Sequence, residues 1–163
     1  MSFNNIKTKL RSENGFTIVE LLIVIVVIGI LAAITIVAYN GVTAKANGTS
    51  AKSAANAVLK KAEAYNADKN NYPLLGTDLT STAAQSETYG LSGVTILTVD
   101  PTKDNGKTSV RMLKCAATNI ATQTLITASN ITGIRVVWWD FAATTPATAT
   151  MDTGGTAFCP TAA

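Results

Sequence analysis

Glu20 is the only charged side chain between Glu13 and Lys45, and it stands inside a long run of apolar residues. An unpartnered carboxylate in such surroundings costs several kcal/mol, about 2.5–3.5 at a bilayer centre on insertion scales and less near its edge. Some gain must offset that cost. Elsewhere the residues that could do chemistry are few. The chain has 163 residues, with 13 Lys and Arg, 10 Asp and Glu, two cysteines and no histidine. Without histidine it lacks the commonest general base and metal ligand. Cys115 and Cys159 are too few for a closed zinc site, and Asp140 and Asp152 are too sparse for a calcium site. Serine, aspartate and glutamate chemistry stays open, but no spacing marks it. The expectation is a non-enzyme with no catalytic residue, no metal and no cofactor.

The element that carries Glu20 is the apolar segment 16–38. Its roughly 23 residues, at about 1.5 Å each, make a helix of about 35 Å, longer than a hydrocarbon core of about 30 Å. Lys7, Lys9 and Arg11 precede it and no positive charge follows until Lys45. That asymmetry predicts an N-terminus in the cytoplasm and an exported C-terminal part. Removing a leader with these three cations and Glu13 leaves ten positives against nine negatives, so the net charge falls from +3 to +1. The basic balance is thus a property of the leader, and no dense basic run suggests a nucleic-acid surface. A secretory signal would have an apolar core of about 7–15 residues, shorter than this one and without a glutamate, although 44–46 (Ala-Lys-Ala) has the small-x-small pattern of a cleavage site. A plain membrane anchor fits the length and charge but leaves Glu20 unexplained.

Gly15-Phe16-Thr17-Ile18-Val19-Glu20, followed by Leu21-Leu22-Ile23-Val24 and by Gly-Ile-Leu-Ala-Ala-Ile at 29–34, resembles the processing motif of type IV prepilins. The resemblance implies cleavage after Gly15 by a prepilin peptidase that also methylates the new amino terminus on Phe16. It matches Glu20 to the family's glutamate, and it implies that the apolar helix stays on the mature protein. A cut before Phe16 creates an ammonium four residues ahead of the carboxylate. In a dry bundle of helices a matched charge pair gains more than in water, and an unmatched charge is penalised. Glu20 then acts as a register device for assembly, helped by the free N–H groups of its own helix start. The implied partners are further copies of the chain, the peptidase–methyltransferase, the pilus assembly platform with its minor pilins, and the lipid bilayer before assembly. The implied roles are adhesion, twitching motility and DNA uptake, the last being the one route to nucleic acid. The implied locations are the cytoplasmic membrane, crossed once, and then an extracellular filament.

The expected fold is α+β, a long helix packed on an antiparallel sheet of three or four strands. The expected divisions are a leader at 1–15, a transmembrane or filament-core helix at 16–40, an amphipathic continuation at 41–70 and a globular head at 71–163. Ala51, Ala55, Val58, Ala62 and Tyr65 recur at helical spacing and would cover the sheet. The helix is expected over 16–67, with its first half projecting from the head. Asn40-Gly41 and Asn47-Gly48 are turn-prone sites for a bend, and the largely β-branched run 34–37, with Gly41 beyond it, is the candidate for unwinding in a filament. A short helix is expected at 79–87 and strands at 94–99, 109–116 and 133–141. Residues 120–129 read as strand or loop. Trp138 and Trp139 should face opposite sides of their strand, one on the helix and the other under the last loop or at a subunit contact. The Ala-, Thr- and Gly-rich tail 142–161 would hold no core alone.

Pilins commonly bound this C-terminal region with a disulfide, and export permits one between Cys115 and Cys159. The loop so closed has a chain-entropy value of about 4 kcal/mol. Sequons at Asn47 and Asn130 are weak signals in such a setting. Two alternatives remain: a type II secretion pseudopilin or minor pilin, and, in another class, a membrane-anchored binding module presenting the Trp138–Trp139 strand. Major pseudopilins generally lack the cysteine-bounded tail, which favours the pilin.

Overall fold

The computed structural model describes residues 15–143, 147–155 and 158–160. The expected leader up to Asn14 lies outside them, as do parts of the tail. Two compact units divide after Asn40. The helix α1, Ile18–Lys69, contributes to both.

In the first unit every described side chain from Gly15 to Asn40 is exposed, including Leu21, Leu22, Ile25 and Ile28. α1 is long and apolar enough here to cross a membrane. The turn-prone Asn40-Gly41 and Asn47-Gly48 pairs and the β-branched run 34–37 all remain helical. Neither Gly29 nor Gly41 has a neighbour within 4 Å of where a Cβ would stand.

The second unit is built on the remainder of α1. Ala51, Ala55, Val58 and Ala62 are fully buried, as their spacing predicts, and Ala54 and Leu59 widen the stripe. Tyr65, the last of the series, is half-buried and meets Tyr89 edge-on, with ring centroids 4.9 Å apart. Alanine at most of the contact positions keeps the helix surface low, so larger strand side chains fill the space between. Asn70 ends α1 with φ 53°, the left-handed conformation that commonly stops a helix. In place of one helix at 79–87 there are two single turns, α2 (Thr77–Thr80) and α3 (Thr82–Gln85). Ser81 separates them, its hydroxyl accepting from Ala84 N–H as the N-cap of α3.

The strands are β1 (Thr95–Leu97), β2 (Ser109–Ala116), β3 (Ile131–Trp139) and β4 (Thr148–Gly154), in spatial order β1-β2-β3-β4. Val110 and Ala116 on β2 and Ile134, Val136 and Trp138 on β3 share the core with the α1 stripe. The fold is the expected α+β one, a long helix on a four-stranded sheet. The β2–β3 and β3–β4 pairs are antiparallel. β1 departs from expectation, because it runs parallel to β2. The connection 98–108 folds back along the short β1 through a tight turn, with Thr102 N–H bonded to Asn105 Oδ1 and Gly106 N–H to Thr102 O. The short β1 lets this connection return without a crossover helix. Residues 120–129 form a loop with one 3-10 turn, Gln123–Leu125.

The tail contains the strand that sequence reading missed. β4 has little apolar character, but it alternates: Ala149, Met151 and Thr153 pair with Trp138, Val136 and Ile134. Threonine suits such an edge position. The tryptophans do face opposite ways. Trp138 is in the core, whereas Trp139 lies against Gly106, where an added Cβ would sit 2.4 Å from its own. It therefore covers the β1–β2 connection.

Candidate functional sites at the helix start and the C-terminal clip

The α1 start is built by three residues. Thr17 precedes the first helical residue, and its hydroxyl accepts from Glu20 N–H at 3.2 Å. Glu20 reaches back, its Oε2 accepting from Thr17 N–H at 2.9 Å and from Thr17 Oγ1 at 2.8 Å. This is a reciprocal capping box, Thr-x-x-Glu, which satisfies donors that a helix N-terminus leaves open. Leu21 N–H then bonds Thr17 O at 3.2 Å and begins the helical ladder.

Gly15 and Phe16 lie just ahead, outside regular secondary structure, with Phe16 89% exposed. The box uses the N–H and hydroxyl of Thr17 and nothing of Phe16, so cleavage between Gly15 and Phe16 would leave it whole. Both bonds from Thr17 fall on Oε2. Among the described residues no hydrogen bond reaches the other oxygen, Oε1. Thr17 was absent from the sequence-derived site, although Thr-x-x-Glu before an apolar run is a readable signal.

The second site is the C-terminal clip. Cys115 and Cys159 are joined in a disulfide across 44 residues, with Cα atoms 4.2 Å apart. Cys115 is fully buried and Cys159 half-buried. The residues flanking the cysteines are also joined. Ala116 N–H bonds Phe158 O at 2.8 Å, and Phe158 N–H bonds Ala116 O at 3.2 Å. Gln123 lies along the free edge of β2, where its Oε1 accepts from Lys114 N–H at 2.7 Å and its Nε2 donates to Lys114 O at 2.9 Å. The same Nε2 donates to Pro160 O. A lone loop glutamine carries no sequence pattern that would announce this role.

Several charged side chains of the head are engaged in structural contacts. Arg135 and Asp152 form two parallel hydrogen bonds of 2.8 Å across β3 and β4, and this carboxylate raises the pKa of the guanidinium further. Thr153 Oγ1 donates to Glu63 Oε1 at 2.5 Å, tying β4 to α1. Among the described residues no group of three or more His, Cys, Asp or Glu side chains could hold a metal ion. Asn130 Oδ1 accepts from Thr127 N–H and its Nδ2 donates to Leu125 O, so this sequon asparagine is committed to its own turn.

Residues 10–36 match the prokaryotic N-terminal methylation motif. The chain is 41% identical over 63 residues to the type IV wide pilus major component PilA4 of Thermus thermophilus, which covers 39% of this chain and 48% of that protein. It is 44% identical over 54 residues to a fimbrial protein of Pseudomonas aeruginosa, covering 33% of this chain and 35% of the relative. The chain thus spans less than half the length of the relatives it matches. No solved structure matches it.

Proposed function

By its N-terminal third the chain belongs to the type IV pilin and pseudopilin superfamily, and from that premise we propose that it is the structural subunit of a type IV pilus filament. The precursor waits in the cytoplasmic membrane, N-terminus inside and head outside. A prepilin peptidase cuts after Gly15 and methylates Phe16, and an assembly platform with minor pilins stacks the product into a filament. The role is structural rather than catalytic. Adhesion, twitching motility and DNA uptake are the roles such a filament would serve.

The observation that carries this reading is the capping box set between a cleavable Gly15–Phe16 bond and a 52-residue helix with an apolar start. Thr17 holds Oε2 of Glu20, and Oε1 is left to meet an ammonium. That ammonium is the amino terminus of Phe16, on the same or a neighbouring subunit. Away from water an unmatched Glu20 is penalised, so a subunit is retained only in register. The paired cysteines at the C-terminus favour a pilus subunit over a secretion pseudopilin.

The test is assembly of Glu20→Leu and Glu20→Gln chains in cells. Both variants should remain in the membrane and be absent from the sheared surface fraction. Wild-type amounts of either in that fraction would exclude charge pairing as the register device.

A further inference from the structure

Each cysteine is held between neighbours that are bonded across the clip without the sulfurs. Lys114 and Ala116 flank Cys115, while Phe158 and Pro160 flank Cys159. Ala116 and Phe158 exchange two backbone bonds, an isolated antiparallel bridge. Gln123 spans the other side: two of its bonds fix its amide to the Lys114 backbone, and the third reaches Pro160 O. An isolated bridge is marginal in water. The glutamine amide extends it, occupying the edge of β2 that β1 leaves uncovered, since β1 pairs only with Ser109, Val110 and Arg111.

We propose that Gln123 is a latch that docks the C-terminal segment on β2 before the disulfide exists, so that oxidation joins two sulfurs already held together. The disulfide would then lock a docked tail, rather than capture a free one. The inference rests on the head alone and stands or falls independently of filament assembly.

The covalent step is thiol–disulfide exchange with a disulfide oxidant. A thiolate of the oxidant leaves as Cys159, the more accessible cysteine, attacks to form a mixed disulfide. The thiolate of Cys115 then attacks Cys159 Sγ and expels the oxidant's second sulfur as a thiolate. Two electrons pass from the cysteines to the oxidant, the cysteines lose two protons, and the oxidant ends as two thiols. Docking beforehand raises the effective concentration of Cys115 at Cys159 and speeds the second attack.

The test uses the full chain in detergent micelles with the disulfide removed, Cys115→Ser together with Cys159→Ser. Amide exchange at Ala116 and Phe158 reports docking directly. Both amides should stay protected, and adding Gln123→Ala should lower their protection about tenfold, the scale of one or two net hydrogen bonds. Gln123→Glu keeps the acceptor for Lys114 N–H but has no donor for Pro160 O, so it should show the same loss with the local turn retained. In chains that keep both cysteines, closure of a mixed disulfide between Cys159 and glutathione should be slower in both Gln123 variants than in wild type. Free exchange at Phe158 in the cysteine-free chain would overturn the proposal, because the tail would then dock only through sulfur. Protection unchanged by both Gln123 variants would overturn it too.

Discussion

Thr17 and Glu20 hold each other through three hydrogen bonds of 2.8–3.2 Å, and Phe16 takes no part in them. The helix start therefore needs no cut at Gly15 to form, and the proposed cut would leave its bonds in place. Removing the cap should cost about 1 kcal/mol at the helix end. Thr17→Val should speed amide exchange at Glu20 and Leu21 in micelles by roughly fivefold, a few tenths short of a tenfold effect per 1.4 kcal/mol. Thr17→Ser should restore the wild-type rate. Equal rates in all three chains would contradict the capping role.

The bond from Thr153 to Glu63 is the side-chain tie between β4 and α1. Thr153→Val removes the donor to an exposed carboxylate that water can resolvate, so the cost is the net worth of one hydrogen bond, about 0.5–1.5 kcal/mol. Urea unfolding should give that loss, and Glu63→Gln should recover part of it because an amide can orient its own donor and acceptor. A double-mutant cycle with no coupling between the two positions would refute the tie.

Gly154 has φ +75°, and a Cβ there would stand 2.5 Å from Thr132 O and 2.5 Å from Tyr72 Oη. Gly154→Ala combines a strained backbone with a clash that the strand backbone cannot relieve. A loss of about 2 kcal/mol or more is expected. Gly93→Ala shares the positive φ but meets no atom within 4 Å, so it should cost about 1 kcal/mol. Equal losses in the two variants would show that the clash at Gly154 is relieved at no cost.

Burial beneath the Tyr89 edge pushes the Tyr65 hydroxyl above its ordinary value of 10.0. The folded pKa is raised, so this stability is complete below the unfolded value and is lost as pH rises through the folded one. Thermal melts of wild type and Tyr65→Phe should run in parallel to about pH 9 and diverge above 10, with the wild type falling faster. Parallel curves to pH 11 would mean that Tyr65 titrates alike in both states.

The parts of the fold that were legible in the sequence are those where burial imposes a period. Ala51, Ala55, Val58 and Ala62 could be read because one face of a helix must be apolar. The strand containing Ile134, Val136 and Trp138 could be read because its alternation is strong. β4 escaped because an edge strand that turns only Ala149, Met151 and Thr153 toward the core needs little hydrophobicity, and its threonines read equally well as a loop. The parallel direction of β1 escaped for another reason: direction is set by the path of the connection through Thr102 and Gly106, which leaves no periodic trace. Of the sites, Glu20 was conspicuous as an isolated charge, and the cysteines were the only two that could pair. Thr17 was written in the sequence but overshadowed by its glutamate. Gln123 could not be found, because its three bonds depend on where β1 stops.

The most direct test of the proposed filament subunit is intact mass and N-terminal sequencing of the chain sheared from the cell surface. The expected species begins at N-methylated Phe16 and is two hydrogens lighter than the reduced chain, as the Cys115–Cys159 bond requires. A chain beginning at Met1 or Ser2 would mean that the motif is not used and that the anchored binding module is the better description. A chain beginning near Asn47 would mean removal of the whole apolar helix, and assembly through Glu20 would be excluded.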